Sequence, residues 1–476
     1  MKIYYVSAEV EPFAKSGGLG DVLGALPKAM AAKGNDVRVI MPRYKIINEK
    51  YMSQMRLVSS MEVWLGWRKQ ACHLYELRSD AVIYYFIDNP FYYSGDTIYD
   101  EYDLERFSFF CKAALEVLTK IDFCPDVIHC NDWTTALLPI MLNYFYKRTH
   151  FYGKIKTVFT IHNLKFQGIY DIGDVIDKTG LSGACTESKN MELDGKCNLL
   201  KGAIGICDAI TTVSPTYAEE IKTVEYGEGL NDFIKLHSDK LCGILNGVDY
   251  NIYNPETDSL IFKKYNLRSH KGGKAANKMQ LLKQVGLPQS KVPLLSMVTR
   301  LYDQKGLDLV LCDIDNLMRE DIQLIVLGTG DKGIEGKLKY YENEYPDKMA
   351  VVTAFDNALA HNIYAASDLF IMPSKFEPCG LSQIISMKYG TLPVVRRTGG
   401  LKDTVRNFDI VTGEGNGFSF DDYNAQKLLS TIMDALNLIN LDEENYKKIV
   451  KNAMCSDFSW EQSSNKYMEL YKKIVE

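Results

Sequence analysis

Short apolar runs, each bounded by Gly, Asp or Asn, alternate along the chain with longer stretches whose apolar positions repeat at helical spacing. Unbroken apolar runs mark strands buried on both faces, and their alternation with helices marks parallel α/β architecture. In the first half this pattern predicts strands at 2–7, 36–41, 81–87, 126–129, 157–161 and 209–213. Helices are expected between them, among others at 20–33, 104–121 and 134–146. The segment 56–77 instead alternates apolar and polar residues, which predicts antiparallel strands inserted in the first domain and flanking a cleft.

Around Asn246-Gly247-Val248-Asp249 and Asn254-Pro255 the periodicity breaks into turn residues, the expected domain boundary. A second series follows, with strands at 294–298, 322–327, 350–352, 369–372 and 392–395, each leading into a helix. The expected division is a first Rossmann-like domain at 1–245, a second at 246–456, and a terminal helix at 457–476 that returns to the first domain and braces a hinge. The polar stretch 182–195 reads as a flexible surface loop and the basic stretch 268–278 as a solvated one.

At 476 residues the chain is too long for one ordinary core. Hydrophobic residues at 46% and charged residues at 24% are those of a folded soluble protein, and a net charge of −6 gives no support to a nucleic-acid or anionic-membrane partner. Met1-Lys2-Ile3-Tyr4-Tyr5-Val6 reads directly as a strand rather than as a signal peptide, and no apolar run approaches the ~18 residues of a membrane span. Eleven cysteines, scattered singly with no C-x-x-C, argue against a disulfide framework. A cytoplasmic location is expected.

The chemistry-bearing residues gather where strands end. Asp368-Leu369-Phe370-Ile371-Met372 runs into Pro373-Ser374-Lys375-Phe376-Glu377-Pro378-Cys379-Gly380-Leu381-Ser382, which sets a lone carboxylate, Glu377, between a strand and a helix N-terminus whose free N–H groups suit a phosphate. Near the start, the first strand gives way to Lys15-Ser16-Gly17-Gly18-Leu19-Gly20-Asp21, a second loop suited to an anion. The spacing after Gly20 and the Met41-Pro42-Arg43 end of the next strand do not fit a nicotinamide-binding fingerprint. Asp132 and His162 each end a strand on the edge carrying the Lys15 loop. Arg300 ends a strand of the second half and Lys305 precedes its helix, a cation pair that suits a diphosphate. No second carboxylate accompanies Glu377 for a double displacement, and no metal-ligand spacing occurs, so neither a metal nor a cofactor is expected.

Taken together these residues resemble the bacterial glycogen synthases and plant starch synthases, the ADP-glucose-dependent glucan 4-α-glucosyltransferases. The resemblance runs through the Lys15–Asp21 loop, Asn131-Asp132-Trp133, His162-Asn163-Leu164 with Gln167-Gly168, Asn246-Gly247-Val248-Asp249, Arg300 with Lys305-Gly306, Glu377-Pro378-Cys379-Gly380-Leu381, and Arg397-Thr398-Gly399-Gly400-Leu401. It implies a GT-B fold, two Rossmann-like domains facing across a deep cleft that closes on nucleotide, and retaining transfer of glucose from ADP-glucose to the non-reducing end of an α-1,4-glucan without a metal. On the same basis Glu377, His162, Asp132 and Lys15 are the catalytic candidates. Lys15, Gly18, Asp21, Asn246, Arg300, Lys305, Phe355, Cys379, Gly380, Leu381 and Ser382 are the substrate-binding ones. The chain departs from the family pattern at Lys375, where arginine is usual, at Asn131 and Thr134, where histidines are common, and at Phe355, often a tyrosine stacked on the base. A transferase of the same fold using UDP-glucose or a small acceptor, and a non-catalytic glucan-binding homologue, remain the alternatives.

Overall fold

The computed structural model describes residues 1–476, which form two compact units: Met1–Gly247 with Trp460–Glu476, and Val248–Ser459. In the first unit, β1 (Lys2–Val6), β2 (Asp36–Pro42), β3 (Arg56–Leu65), β4 (Arg68–Ser79), β5 (Val82–Asp88), β6 (Val127–Asn131) and β7 (Lys156–Ile161) are followed by the short β8 (Ile169–Tyr170), β9 (Glu192–Leu193) and β10 (Lys196–Asn198), then β11 (Ala209–Thr212) and β12 (Leu241–Gly243). Nine of these make one sheet in the order β12-β11-β7-β6-β1-β2-β5-β4-β3. The centre is parallel, and Ile3, Tyr4, Tyr5 and Val6 are wholly buried because helices cover both faces. The hairpin β3–β4 adds to the edge through antiparallel pairing of β4 with β5, as its alternating pattern requires.

The second unit carries β13 (Leu294–Val298), β14 (Gln323–Leu327), β15 (Met349–Val352), β16 (Leu369–Met372), β17 (Leu392–Arg396) and β18 (Phe418–Phe420), all parallel, in the order β15-β14-β13-β16-β17-β18. Its core joins the strands to the helices Ala425–Leu441 and Glu443–Cys455 through Leu428, Ile432, Ile449 and Val450. The last helix, Trp460–Val475, lies against the helix Gly18–Ala32 of the first unit. There Lys33 donates to Glu461 at 2.8 Å, and the Tyr471 hydroxyl meets those of Tyr5 and the ring of His129 in the interior.

Three expectations are corrected. The stretch 182–195 is an ordered piece, the helix Gly183–Thr186 and β9, anchored by buried Cys185, Thr186 and Met191. The stretch 268–278 is not a solvated loop: the helix His270–Val285 begins within it and buries Gly273, Lys274, Asn277 and Lys278. Its ammonium groups find partners inside, Lys278 on Asp368 at 2.9 Å and Lys274 on Thr391 Oγ1 at 2.7 Å. The helix expected at 134–146 is broken into a 3-10 turn Trp133–Thr135, an α turn Leu137–Met141 and a π turn Leu142–Tyr146. Pro139, with no N–H, cannot bond back to Thr135. Of the strands, β8, β9, β10, β12 and β18 escape the sequence pattern because two or three residues are too few to show a period.

Candidate active site

In the first unit, β7, β6 and β1 are consecutive parallel strands, so their carboxyl ends lie side by side. The ends of such strands are where an open α/β sheet offers polar groups to a ligand. After β1 the chain reaches Glu9, only 3% exposed, whose carboxylate gathers the following loop. It accepts from the Ser16 N–H at 2.6 Å, the Ser16 hydroxyl at 2.7 Å, the Gly17 N–H at 3.2 Å and the Tyr99 hydroxyl. That fixes the loop from which Lys15 projects to donate to Asp21 at 2.9 Å, with Glu11 at 3.4 Å. Burial pulls the Lys15 ammonium down, but Asp21 and Glu11 outweigh it and its pKa ends above the usual lysine value. Gly18 opens the helix, and a side chain added at Gly17 or Gly18 would meet no protein atom within 4 Å. Neither glycine is dictated by packing inside the protein, and their open side is free for a ligand.

Asp132 follows β6 with φ +57 and points its Oδ1 back at β7, accepting from the His162 N–H at 2.7 Å and the Asn163 N–H at 3.4 Å. Burial pushes its pKa up to about 7 against the lowering effect of those two N–H groups. The His162 ring sits next to it, with Nε2 at 3.0 Å from Asn131 Oδ1, and burial holds the imidazole at about 3, neutral at physiological pH. Asn246 follows the edge strand β12, buried and with no partner for its Oδ1.

In the second unit, β13, β16 and β17 are adjacent and parallel. β13 leads to Arg300 and Lys305, β16 to the Glu377 loop, and β17 to Arg396 and the Gly399-Gly400 turn. Glu377 and Lys305 make an ion pair at 2.6 Å with 8% and 13% of their side chains exposed, and the Ser374 hydroxyl donates to the same carboxylate oxygen at 3.1 Å. Arg300 is exposed and makes no ion pair. The two cations expected as equals therefore differ: one is already matched by the carboxylate, the other is open.

The loop carrying Glu377 is held from both sides by glycines. A Cβ on Gly306, at φ +70, would fall 2.0 Å from the Pro373 carbonyl oxygen, and one on Gly399, at φ +44, would fall 2.0 Å from that of Glu377. No other residue type fits either position. Lys375 donates to Asp303 at 2.5 Å, and its backbone N–H donates to Gln304 O at 2.9 Å, tying the loop to the turn after β13. Cys379 is buried, Gly380 turns at φ +71, and Leu381 starts the helix Ser382–Lys388 without a side-chain cap. Gln383, in that helix, spends its amide hydrogens on Cys379 O, Gly380 O and Thr404 Oγ1. Phe355 stands after β15, 83% exposed. No group of His, Cys, Asp and Glu is arranged to hold a metal ion.

Sequence reasoning missed Glu9, although an acid just past a strand end is the same signal that singled out Glu377. It also recorded Asn131 only as a departure from a pattern, whereas the side chain touches His162 directly.

Comparison with known proteins agrees over the whole length. Residues 2–236 match the family model of the starch synthase catalytic domain, and residues 279–454 match glycosyl transferases group 1. A glycogen synthase from Geobacillus thermodenitrificans is 47% identical over 477 residues, covering 100% of this chain and 98% of the relative. The catalytic domain of starch synthase IV from Arabidopsis thaliana, solved with ADP and acarbose, superposes with a TM-score of 0.93 at 35% identity, covering 100% of this chain and 99% of that one. A sucrose-phosphate synthase from Thermosynechococcus elongatus, 17% identical with a TM-score of 0.63 over 99% of this chain and 98% of its own, shares the fold. No helix is long and apolar enough to cross a membrane. With two Rossmann-like α/β units and strand-end residues in the family's order, the chain belongs to the glycogen and starch synthase family of GT-B glycosyltransferases.

Proposed function

We propose that the chain transfers glucose from ADP-glucose to the non-reducing end of an α-1,4-glucan with retention of configuration. The observation that carries the reading is the pairing of Lys305 with Glu377 beside an unpaired Arg300, at the ends of neighbouring strands of the second unit. A departing nucleoside diphosphate gains negative charge as its bond to the sugar breaks, so cations aimed at it stabilise the transition state more than the ground state. Arg300 and Lys305 take the diphosphate. Glu377, released from part of its bond to Lys305, faces the positive charge that develops on the glucose ring. Phe355, exposed after β15, offers a face to the base, and the backbone N–H groups of Gly380 and Leu381 and the Ser382 hydroxyl serve phosphate and sugar.

In the first unit, Lys15, Gly18 and Asp21 are assigned to sugar and glucan, with Asp132 and His162 positioning the transferred glucose. Asn246 has an unpartnered Oδ1 to offer a hydroxyl. The second unit is thus the nucleotide-sugar domain and the first the acceptor domain. Glu377, the carboxylate set against the glucose ring, is engaged by Lys305 and Ser374, which supports attack by the acceptor hydroxyl on the face the diphosphate leaves rather than by a protein nucleophile. The ADP and acarbose bound by the Arabidopsis relative support adenine nucleotide and glucan as substrates. Eleven free cysteines fit the reducing cytoplasm.

The test is incorporation of labelled glucose into glycogen from ADP-glucose and UDP-glucose side by side. A clear preference for ADP-glucose is expected. Preference for UDP-glucose would replace the donor, and no incorporation from either would overturn the reading.

A further inference from the structure

Asn131 is 1% exposed, and its amide orientation is fixed by its surroundings. Nδ2 donates to Val6 O and His129 O, each at 3.2 Å, so both amide hydrogens are spent on carbonyl oxygens of β1 and β6. The opposite orientation would set Oδ1 against those two oxygens, acceptor facing acceptor with no hydrogen between them. Oδ1 therefore faces His162 Nε2 at 3.0 Å. A carbonyl oxygen only accepts, so Nε2 has to carry the hydrogen. The imidazole is neutral because it is buried, which leaves Nδ1 as a bare lone pair with no hydrogen bond from the protein.

We propose that Asn131 is a positioning residue that locks His162 as the Nε2–H tautomer, so that Nδ1 accepts a hydrogen bond from a hydroxyl of the transferred glucose. This rests on the glucosyltransferase reading for its ligand but not for its tautomer. His162 is then an acceptor throughout the reaction and neither gives nor takes a proton. The main chain that carries the ring is held by Asp132, which accepts from the His162 N–H at 2.7 Å, and the ring itself by Asn131 Oδ1. A histidine at position 131 could donate or accept through its ring nitrogen, whereas an asparagine held by two carbonyls admits one arrangement only.

The experiment is a two-bond proton–nitrogen correlation on the whole protein labelled at histidine, with the His162 signals assigned by their loss in His162→Gln. The free protein should show His162 protonated at Nε2, bare at Nδ1, and without titration between pH 5 and 8. Adding ADP-glucose should shift the Nδ1 resonance while ADP alone leaves it in place. Asn131→Ala should give a mixture of tautomers and about a tenfold fall in kcat with little change in KM for ADP-glucose, since roughly one hydrogen bond's worth of positioning is lost. A proton on Nδ1 in the free protein, titration of His162 near its ordinary value, or an Nδ1 shift equal with ADP and ADP-glucose each overturns the proposal. Failure to bind ADP-glucose would instead sink the functional reading and the hydroxyl contact with it, while the tautomer in the free protein is judged separately.

Discussion

Replacing Glu377 separates the ion pair seen in the structure from the catalytic role proposed for the same side chain. The carboxylate neutralises Lys305 at 2.6 Å, with 13% and 8% of the two side chains exposed, and it is assigned to the charge that develops on glucose. Breaking a buried ion pair by removing one partner costs about 3–5 kcal/mol, because the other charge is left without compensation. Glu377→Gln keeps an oxygen to accept from Lys305 and Ser374 and should fall at or below the low end of that range in urea unfolding. Glu377→Ala, which leaves both donors unserved, should fall at the high end. Turnover behaves differently: both variants lose the negative charge, and both should lose about 10²–10³ in kcat, as for removal of one preorganised electrostatic group. The double variant Glu377→Ala with Lys305→Ala should unfold more easily than wild type by clearly less than the sum of the single changes, since no buried charge remains. Near-normal turnover in Glu377→Gln refutes the electrostatic role. Additive single costs in the double variant refute the buried pair.

Arg300→Ala should leave stability unchanged, because Arg300 is exposed and unpaired, yet weaken ADP binding about tenfold or more, whereas Lys305→Ala should lower both; titration calorimetry with unfolding curves tells them apart, and equal ADP affinity in wild type and both variants places the diphosphate elsewhere. Transfer from ADP-glucose should survive EDTA if Arg300 and Lys305, as proposed, supply the charge that Mg²⁺ supplies in other nucleotide enzymes; loss of activity restored by a divalent cation counts against that. The third concerns stability: Lys274, which burial pulls down to about 7 with Asp368 opposing, keeps its proton in the unfolded chain up to an ordinary lysine pKa, so between those values the unfolded state binds more protons and the contribution of Lys274 to stability rises with pH. That contribution approaches about 4 kcal/mol from pH 7 to 10.5, so Lys274→Met should be the more stable protein at pH 7 and lose that advantage as pH rises; parallel pH slopes for the two would refute the assignment.

The strand ends were legible because two independent signals coincide there. An unbroken apolar run as short as Leu369-Phe370-Ile371-Met372, bounded by Asp and Pro, suits a strand buried on both faces, and a charged residue soon after it stands close to the core, where its burial needs a reason. Strand order was not legible, yet it brings β13 beside β16 and so Lys305 onto Glu377, far apart in sequence. The misread segments share one cause: residue type reports the cost of burying a group, not the partner that offsets it. Lys274 and Lys278 look solvated until Thr391 and Asp368, just before β17 and β16, are found against them, and Gly273 looks like a break until the ring of Tyr265 is found where its side chain would be, with a Cβ placed 2.3 Å from that of Tyr265. Asn131 is the same case turned towards function. As a letter it is a lost histidine. Set against Val6 O and His129 O it is an oriented acceptor, and what it does to His162 follows from three distances. A substitution away from a family pattern can therefore leave the chemistry in place while narrowing it to one tautomer.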